Sequence, residues 1–562
     1  MSQSPPDVVG LTPGGGWESR LGRALQILLG LLLIATVAGV LISPLNGVFD
    51  FPTGPVVASF VVVLALSGVA AALRRTRWAR TVSRRGGWPV ALPFAVVSSG
   101  AAVWVAQHLQ YAFAWDARTL WRFAGQLERG DHTAYLAYYL SRYPNNVAML
   151  AVDRLTIKVA HGLDVTGYTV AIWVNGIFLV TTLVLVFVTV RMLAGVLPAL
   201  IAQVVTFLLA GLSPWMAVPY TDMAAMPFVA GTAALAVAGL RAVQKDRSGR
   251  GLALLAGAAV VGAAGAVLRT TPTVLIIALG LVLLLTLLHR PTRSRRVEMR
   301  TALAGILVVS LLFAGSTALG RALTTGWLAP TTLNLQRTPP PQWWMAMGLK
   351  TVESASGHTW YGGFDGVMVR ESTYMQGDAL KLYSTRELRK QLDAMGPSGV
   401  AVFEAQKQRF NWGDGMFFAW GEDGDAKPGR FLDEDPASLQ VQAWQHPTGT
   451  YYPVRGAAAQ GLWSGVLLWL GVGLLIGPYS RGRAFLTLSI LGITAFVLLF
   501  QGRSRYLFSF VPLVVTLAAT VDPVYAAREL VTRFSRRRRP RPLDPEQQLP
   551  ADDSPSHAAP VP

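Results

Sequence analysis

Apolar runs of membrane-spanning length alternate with short basic blocks along most of the chain. The runs fall at residues 21–42, 56–73, 88–107, 169–193, 198–212, 223–240, 251–268, 274–289, 301–319, 461–476, 484–500 and 507–521. Stretches of this length and apolarity predict transmembrane helices. Arginine-rich blocks lie at 74–85, 241–250, 290–300 and 480–483, and Arg536 to Arg539 follow the last run. Counting about twelve spans with both ends inside the cell puts every such block on the cytoplasmic side, as the positive-inside rule requires.

The pattern divides the chain into segments. Residues 1–20, rich in Pro, Gly and Ser, are expected to form a disordered cytoplasmic tail. An N-terminal transmembrane domain covers 21–320 and carries an external loop at 109–167. Residues 144–161 are apolar but interrupted by Asp153, Arg154 and Lys158. At roughly 2.5–3.5 kcal/mol per central charge, a span is disfavoured there, and a helix lying on the outer surface is expected. Residues 321–459 hold no run long enough to span, and an insert of that length is expected to fold as an external soluble domain of mixed structure. Transmembrane helices at 460–522 and a disordered cytoplasmic tail at 523–562 complete the chain. The expected class is an all-α polytopic protein of the plasma membrane, with the external domain inserted before the last three helices.

Composition sharpens this picture. Of 562 residues, 52% are hydrophobic and 14% charged, which excludes an ordinary soluble protein. The formal charge of +18 sits in the cytoplasmic blocks, so the expected partner for it is anionic lipid and not nucleic acid. No cysteine is present, which excludes disulfides, thiolate metal sites and a cysteine nucleophile. The first apolar run is long enough to span and lacks a small-residue cleavage site, so no cleavable signal peptide is expected. Histidines are scattered without zinc-ligand spacing, and no glycine-rich loop ends in Lys-Ser/Thr, so neither a zinc site nor a nucleotide-binding loop is expected.

Candidate chemistry collects at the external ends of the spans. Past the outward run at 88–107 comes a lone acid between apolar residues, Asp116 in Ala114-Trp115-Asp116-Ala117. A carboxylate in that setting is costly to desolvate and reads as functional. Asp222 (in Tyr220-Thr221-Asp222), Arg269 and the pair Arg503/Arg505 occupy other external turns. Carboxylates facing guanidiniums suit an anionic substrate, because arginine grips phosphate oxygens through its planar fork and keeps its charge. A carboxylate there can serve as general base toward a hydroxyl, or hold a divalent cation such as Mg or Mn, for which Asp222 is the candidate.

These turns carry Tyr143-Pro144-Asn145-Asn146, Tyr220-Thr221-Asp222, Arg269-Thr270-Thr271-Pro272-Thr273, Trp344-Met345-Ala346-Met347-Gly348-Leu349, Tyr361-Gly362-Gly363-Phe364 and Gly502-Arg503-Ser504-Arg505-Tyr506-Leu507. In this order the set resembles the GT-C superfamily of polytopic glycosyltransferases, such as protein O-mannosyltransferases and the lipid A aminoarabinose transferase. It is similar more closely to a family of membrane proteins of actinobacteria and other Gram-positive bacteria. The superfamily often has a second acid beside the first-loop aspartate, where this chain has Ala117. The resemblance implies a GT-C-like fold and an inverting transfer, on the external face, from a polyprenyl-phosphate sugar to an envelope glycan, lipid or protein. Asp116 would be the base. Arg269, Arg503 and Arg505 would hold the donor phosphate, and Asp222 would position the acceptor or a metal. Trp115, Tyr143, Asn145, Asn146, Tyr220, Trp344 and Tyr361 would contact acceptor or sugar, with Trp343, Trp412 and Trp420 as further stacking candidates. The alternatives are a transporter or flippase of lipid-linked saccharides, which would need charge within the spans, and a non-catalytic envelope scaffold.

Overall fold

Among the described residues, eight helices have the length and apolarity to cross a membrane: Trp17–Ile42, Trp88–Leu109, Gly167–Ala194, Thr221–Gln244, Ser248–Leu268, Arg296–Gly326, Tyr452–Ile476 and Arg481–Leu499. Four shorter apolar helices, Thr53–Ala65, Val196–Gly211, Thr273–Leu287 and Val511–Thr520, lie between them. Each expected span falls on one of these helices. The computed structural model describes residues 17–43, 45, 53–73, 76–109, 114–287, 293–328, 332–353, 357–421 and 435–521. Outside them lie residues 1–16 and 523–562 of the expected tails, residues 110–113 of the first external loop, and residues 74–75 and 290–292 of the basic blocks.

The result is an all-α polytopic membrane protein. Leu28, Leu31, Val61, Val62, Val97, Ile177, Leu307 and Leu311 project from the spans and remain exposed. An apolar outer surface of that kind is what hydrocarbon solvates. Inside, small residues let backbones approach: a Cβ at Gly30 would stand 2.8 Å from the Gly471 carbonyl oxygen, and one at Gly471 would stand 3.1 Å from that of Gly30. The helices Trp17–Ile42 and Tyr452–Ile476 cross at this pair.

The first helix begins at Trp17, so the expected tail gives way to helix before residue 21. The reason is Glu18, which is buried and takes two hydrogen bonds from Arg481, at 2.6 and 3.0 Å, and one from the Tyr479 hydroxyl at 2.9 Å. Arg481 also donates to Glu298. Three distant parts of the chain are thus tied at the end of the bundle where the basic blocks lie.

The described part of the loop at 109–167 folds as helices. The stretch expected to lie on the outer surface is the helix Val147–Leu163. Its inner face buries Leu150, Asp153, Thr156 and Ala160, whereas Leu155, Val159 and Leu163 point outward and exposed. Burial holds the Asp153 carboxyl well above the usual carboxylate range. Arg154 reaches Glu128 at 3.4 Å.

The insert is more helical, and less separate, than its Trp-, Tyr- and Gly-rich sequence suggests. Among its described residues the strands are Thr351–Glu353 and Thr359–Tyr361, paired antiparallel. The rest is mainly helix: Pro341–Gly348, Gly366–Glu371, Gly377–Trp412 and Pro436–Gln445. The longest of these breaks at Gly396 (φ 61°), ahead of Pro397. Trp343, Ala346, Met347, Met368 and Leu380 make a small core of their own. Trp412, Met416, Phe417, Trp420 and Val441 instead join the core of the transmembrane bundle. The helix at the end of the insert, Tyr452–Ile476, starts well before residue 460.

Candidate active site

Asp116 stands in the first turn of helix Trp115–Glu128, where the helix dipole favours a carboxylate. Trp115 takes a left-handed backbone (φ 43°) to start that helix, a conformation that is strained for a bulky residue. The next helix, Ala134–Arg142, is capped by Thr133, whose hydroxyl accepts from the Leu136 amide at 3.2 Å. It carries Tyr139, which donates its hydroxyl to Asp116 Oδ1 at 2.6 Å. Pro144 opens the short 3-10 turn Pro144–Asn146, and this turns Asn146 inward, so that its Nδ2 donates to the Tyr139 hydroxyl at 2.9 Å. From the opposite side the Tyr220 hydroxyl makes long contacts with Asp116 Oδ2 at 3.4 Å and Asn146 Oδ1 at 3.5 Å. Burial first, and then the Asp116 carboxylate, hold both tyrosines well above the usual phenol range. Both therefore remain protonated as donors. Burial also pushes the Tyr143 hydroxyl up.

Tyr220 joins the acid to the cations. The Arg505 guanidinium lies 5.5 Å from its ring centre, 5.0 Å from that of Trp115 and 5.3 Å from that of Tyr506. Arg269 also lies against Tyr506, 5.1 Å from its ring centre. Arg269 donates to Asp222 Oδ1 and, at 3.4 Å, to the Thr221 hydroxyl. One connected group therefore runs from Asp116 through Tyr220, Arg505, Tyr506 and Arg269 to Asp222. Asp222, Arg269 and Arg505 are buried, whereas Trp115, Asp116 and Tyr506 keep partial exposure. The acid is thus the accessible end.

Not every sequence candidate joins this group. Arg503 is buried between Trp360 and Phe418, 4.9 and 5.0 Å from their ring centres, and belongs to a neighbouring layer. Tyr361 packs on Phe403 and Phe410. Trp343 and Trp412 are 0% exposed and Trp420 is 6% exposed, so these three are core residues with no free face for a sugar. Tyr143 is half-buried, 5.2 Å from Tyr139 and 6.2 Å from Trp344, and these rings extend the site toward the insert. Asn145 is exposed beside it and donates to Asn146 at 3.1 Å.

The geometry adds residues that the sequence reading passed over. Tyr139 donates to Asp116 at 2.6 Å, and Tyr506 packs against both arginines. Arg142 is buried, donates to the Ser372 carbonyl at 3.0 Å and hydroxyl at 2.6 Å, and lies 5.4 Å from the Trp343 ring. It fixes the first loop to the insert. An aromatic run ending in Arg142-Tyr143-Pro144 was the available signal, but nothing in it separates a site tyrosine from a packing one. The arrangement fits a divalent cation poorly. Asp116 accepts from tyrosine hydroxyls, Asp222 accepts from a guanidinium, and no group of three or more His, Asp or Glu side chains among the described residues is placed to hold a metal.

A family model described as conserved hypothetical integral membrane protein matches residues 20–524, nearly the whole chain and every residue of this site. No curated protein and no solved structure matches it.

Proposed function

We propose, from the premise that this chain belongs to that family of conserved hypothetical integral membrane proteins, that it is an inverting glycosyltransferase using a polyprenyl-phosphate sugar, with its active site on the external face of the plasma membrane. One observation carries the reading. Asp116, Tyr220, Asp222, Arg269 and Arg505 come from widely separated turns and form one connected group with a reachable carboxylate at its end.

The chemistry follows from that order. An acceptor hydroxyl on an envelope glycan, lipid or protein hydrogen-bonds Asp116. As its oxygen forms the new bond to the anomeric carbon, its proton passes to the carboxylate. The bond from that carbon to the phosphate oxygen breaks, and polyprenyl phosphate leaves with the electron pair. Arg505, with Arg269 behind it, stabilises the charge that grows on the leaving phosphate, and Asp222 holds Arg269 in place. Tyr139 and Asn146 fix the carboxylate, while Trp115, Tyr143 and Trp344 offer the half-buried faces on which sugar can stack. Arg503 acts through the shape of the loop it shares with Arg505. No step runs through a divalent cation.

The test is transfer of radiolabelled sugar from polyprenyl-phosphate donors by the full-length protein in nanodiscs, together with the lipid-linked sugars that build up when the protein is depleted. Accumulation of one donor, and transfer from it, is expected. A depleted strain with unchanged lipid-linked sugars would overturn the reading.

A further inference from the structure

Helix Gly377–Trp412 carries a charge that the transfer chemistry leaves unused. Lys407 is fully buried. Its Nζ donates to the backbone carbonyls of Gly348 at 2.8 Å, Leu498 at 2.5 Å and Phe500 at 2.9 Å. An ammonium has three protons, and each has a partner here. Leu498 and Phe500 lie at the C-terminal end of helix Arg481–Leu499, where carbonyls lack partners within the helix and the dipole is negative. Directly beyond, the Gln501 amide donates to the Trp344 carbonyl at 3.0 Å and the Gly502 amide to the Gly362 carbonyl at 3.1 Å. Gly362 needs to be glycine: its φ is 73°, and a Cβ would collide with the Lys407 side chain. Three backbone segments thus meet around one ammonium, and the third of them leads straight into Arg503-Ser504-Arg505.

The same helix grips the loop a second time. Asp414, just past its C-terminus, is buried and accepts from the Ser504 hydroxyl at 2.6 Å, the Met416 amide at 2.9 Å and the Phe418 amide at 2.7 Å. Methionine would fill a similar volume but would leave three carbonyls without this donor, at a cost in stability. What an ammonium adds is convergence, because one atom holds three carbonyls in a fixed relation.

We propose that Lys407 is the positioning residue of the arginine loop: by fixing residues 498–502 it presets Arg505 to receive an anionic phosphate. The proposal rests on the reading of that loop as the phosphate holder. In full-length protein in nanodiscs, Lys407→Met should speed amide exchange within residues 498–506 while leaving the spans protected. The dissociation constant for farnesyl phosphate, a short polyprenyl monophosphate, should rise about 10- to 100-fold, the scale on which small misplacements act. The donor KM should rise with it, and kcat should fall as well, because Arg505 also stabilises the charge that grows on the leaving phosphate. A purely structural role would instead lower kcat by reducing the active fraction, at unchanged KM. Ser504→Ala, which removes the hydroxyl held by Asp414, is the milder second variant should Lys407→Met fail to fold, and it should shift exchange and KM the same way. Lys381→Met, on an exposed position of the same helix, should change neither. Wild-type exchange and affinity in Lys407→Met, or a loss of kcat alone, overturns the proposal. Failure of the wild type to bind farnesyl phosphate sinks the phosphate reading separately. Exchange then still decides whether Lys407 sets the loop: acceleration confined to 498–506 supports it, and uniform or unchanged exchange does not.

Discussion

Two tyrosine hydroxyls and a helix N-terminus surround the Asp116 carboxylate, so its shape can be kept while its basicity is removed. Asp116→Asn should fold and bind donor normally, and turnover should fall by roughly 10²–10⁴, the usual range for loss of a general base. Near-normal transfer by the Asn variant would move the base to another residue. Tyr139→Phe is the subtler probe. It removes one hydroxyl that Asn146 also contacts, at a cost of about 0.5–1.5 kcal/mol for a hydrogen bond, so turnover should drop by no more than about tenfold. The arginines separate in the same way. Arg505→Lys keeps charge and loses the planar fork, and should weaken donor binding by about 1–3 kcal/mol in a titration with farnesyl phosphate. Asp222→Asn leaves the buried Arg269 without its counter-charge, and should lower stability by roughly 3–5 kcal/mol before any effect on transfer is seen. Thermal unfolding of that variant at wild-type temperature would show that Asp222 does not hold Arg269.

At the scale of elements, the spans were legible in the sequence because lipid imposes one requirement on them: a continuous apolar run. The helix Val147–Leu163 was legible as something other than a long apolar run, since Asp153, Arg154 and Lys158 interrupt it. The insert was not. Its long helix has Lys407, Gln408 and Asn411 on a face that sequence rules assign to water, yet all three are buried against the bundle. Their partners, such as Thr36 for Gln408 and Leu498 for Lys407, are far away in the chain, and no local pattern announces them. The site shows the same split. Asp116, Asp222, Arg269 and Arg505 were readable as isolated charges at span ends. Of the tyrosines that connect them, Tyr220 was read only as a contact for acceptor or sugar, and Tyr139 and Tyr506 were not read as site residues, because a buried tyrosine and a site tyrosine look alike in sequence. One packing consequence is testable. A Cβ at Gly461 would run into Ser59 and into the Phe60 amide nitrogen at 2.7 Å. Gly461→Val should therefore part helix Tyr452–Ile476 from helix Thr53–Leu73 and destabilise the protein by about 1–3 kcal/mol. An unchanged thermal midpoint in nanodiscs would contradict that contact.

For the whole molecule, orientation is the property on which every functional statement depends. The absence of cysteine makes it directly measurable. A single cysteine replacing the exposed Tyr374, in the insert, should react with an impermeant maleimide in intact cells. One replacing the exposed Lys245, in a basic block, should react only after the membrane is opened. The reverse result would turn the molecule over and remove the external active site. The knot of Glu18, Glu298 and Arg481 adds an element of timing. Arg481 lies 463 residues after Glu18 and 183 after Glu298, so during synthesis both acids emerge long before the arginine that joins them. Until the second-to-last helix is made, the two carboxylates lack the arginine that joins them, and this end of the bundle has reason to stay open to water. Completion of the chain is therefore what seals it. A chain stopped before Arg481 should be inserted but unsealed, and should be cut by cytoplasmic proteases where the finished protein is not.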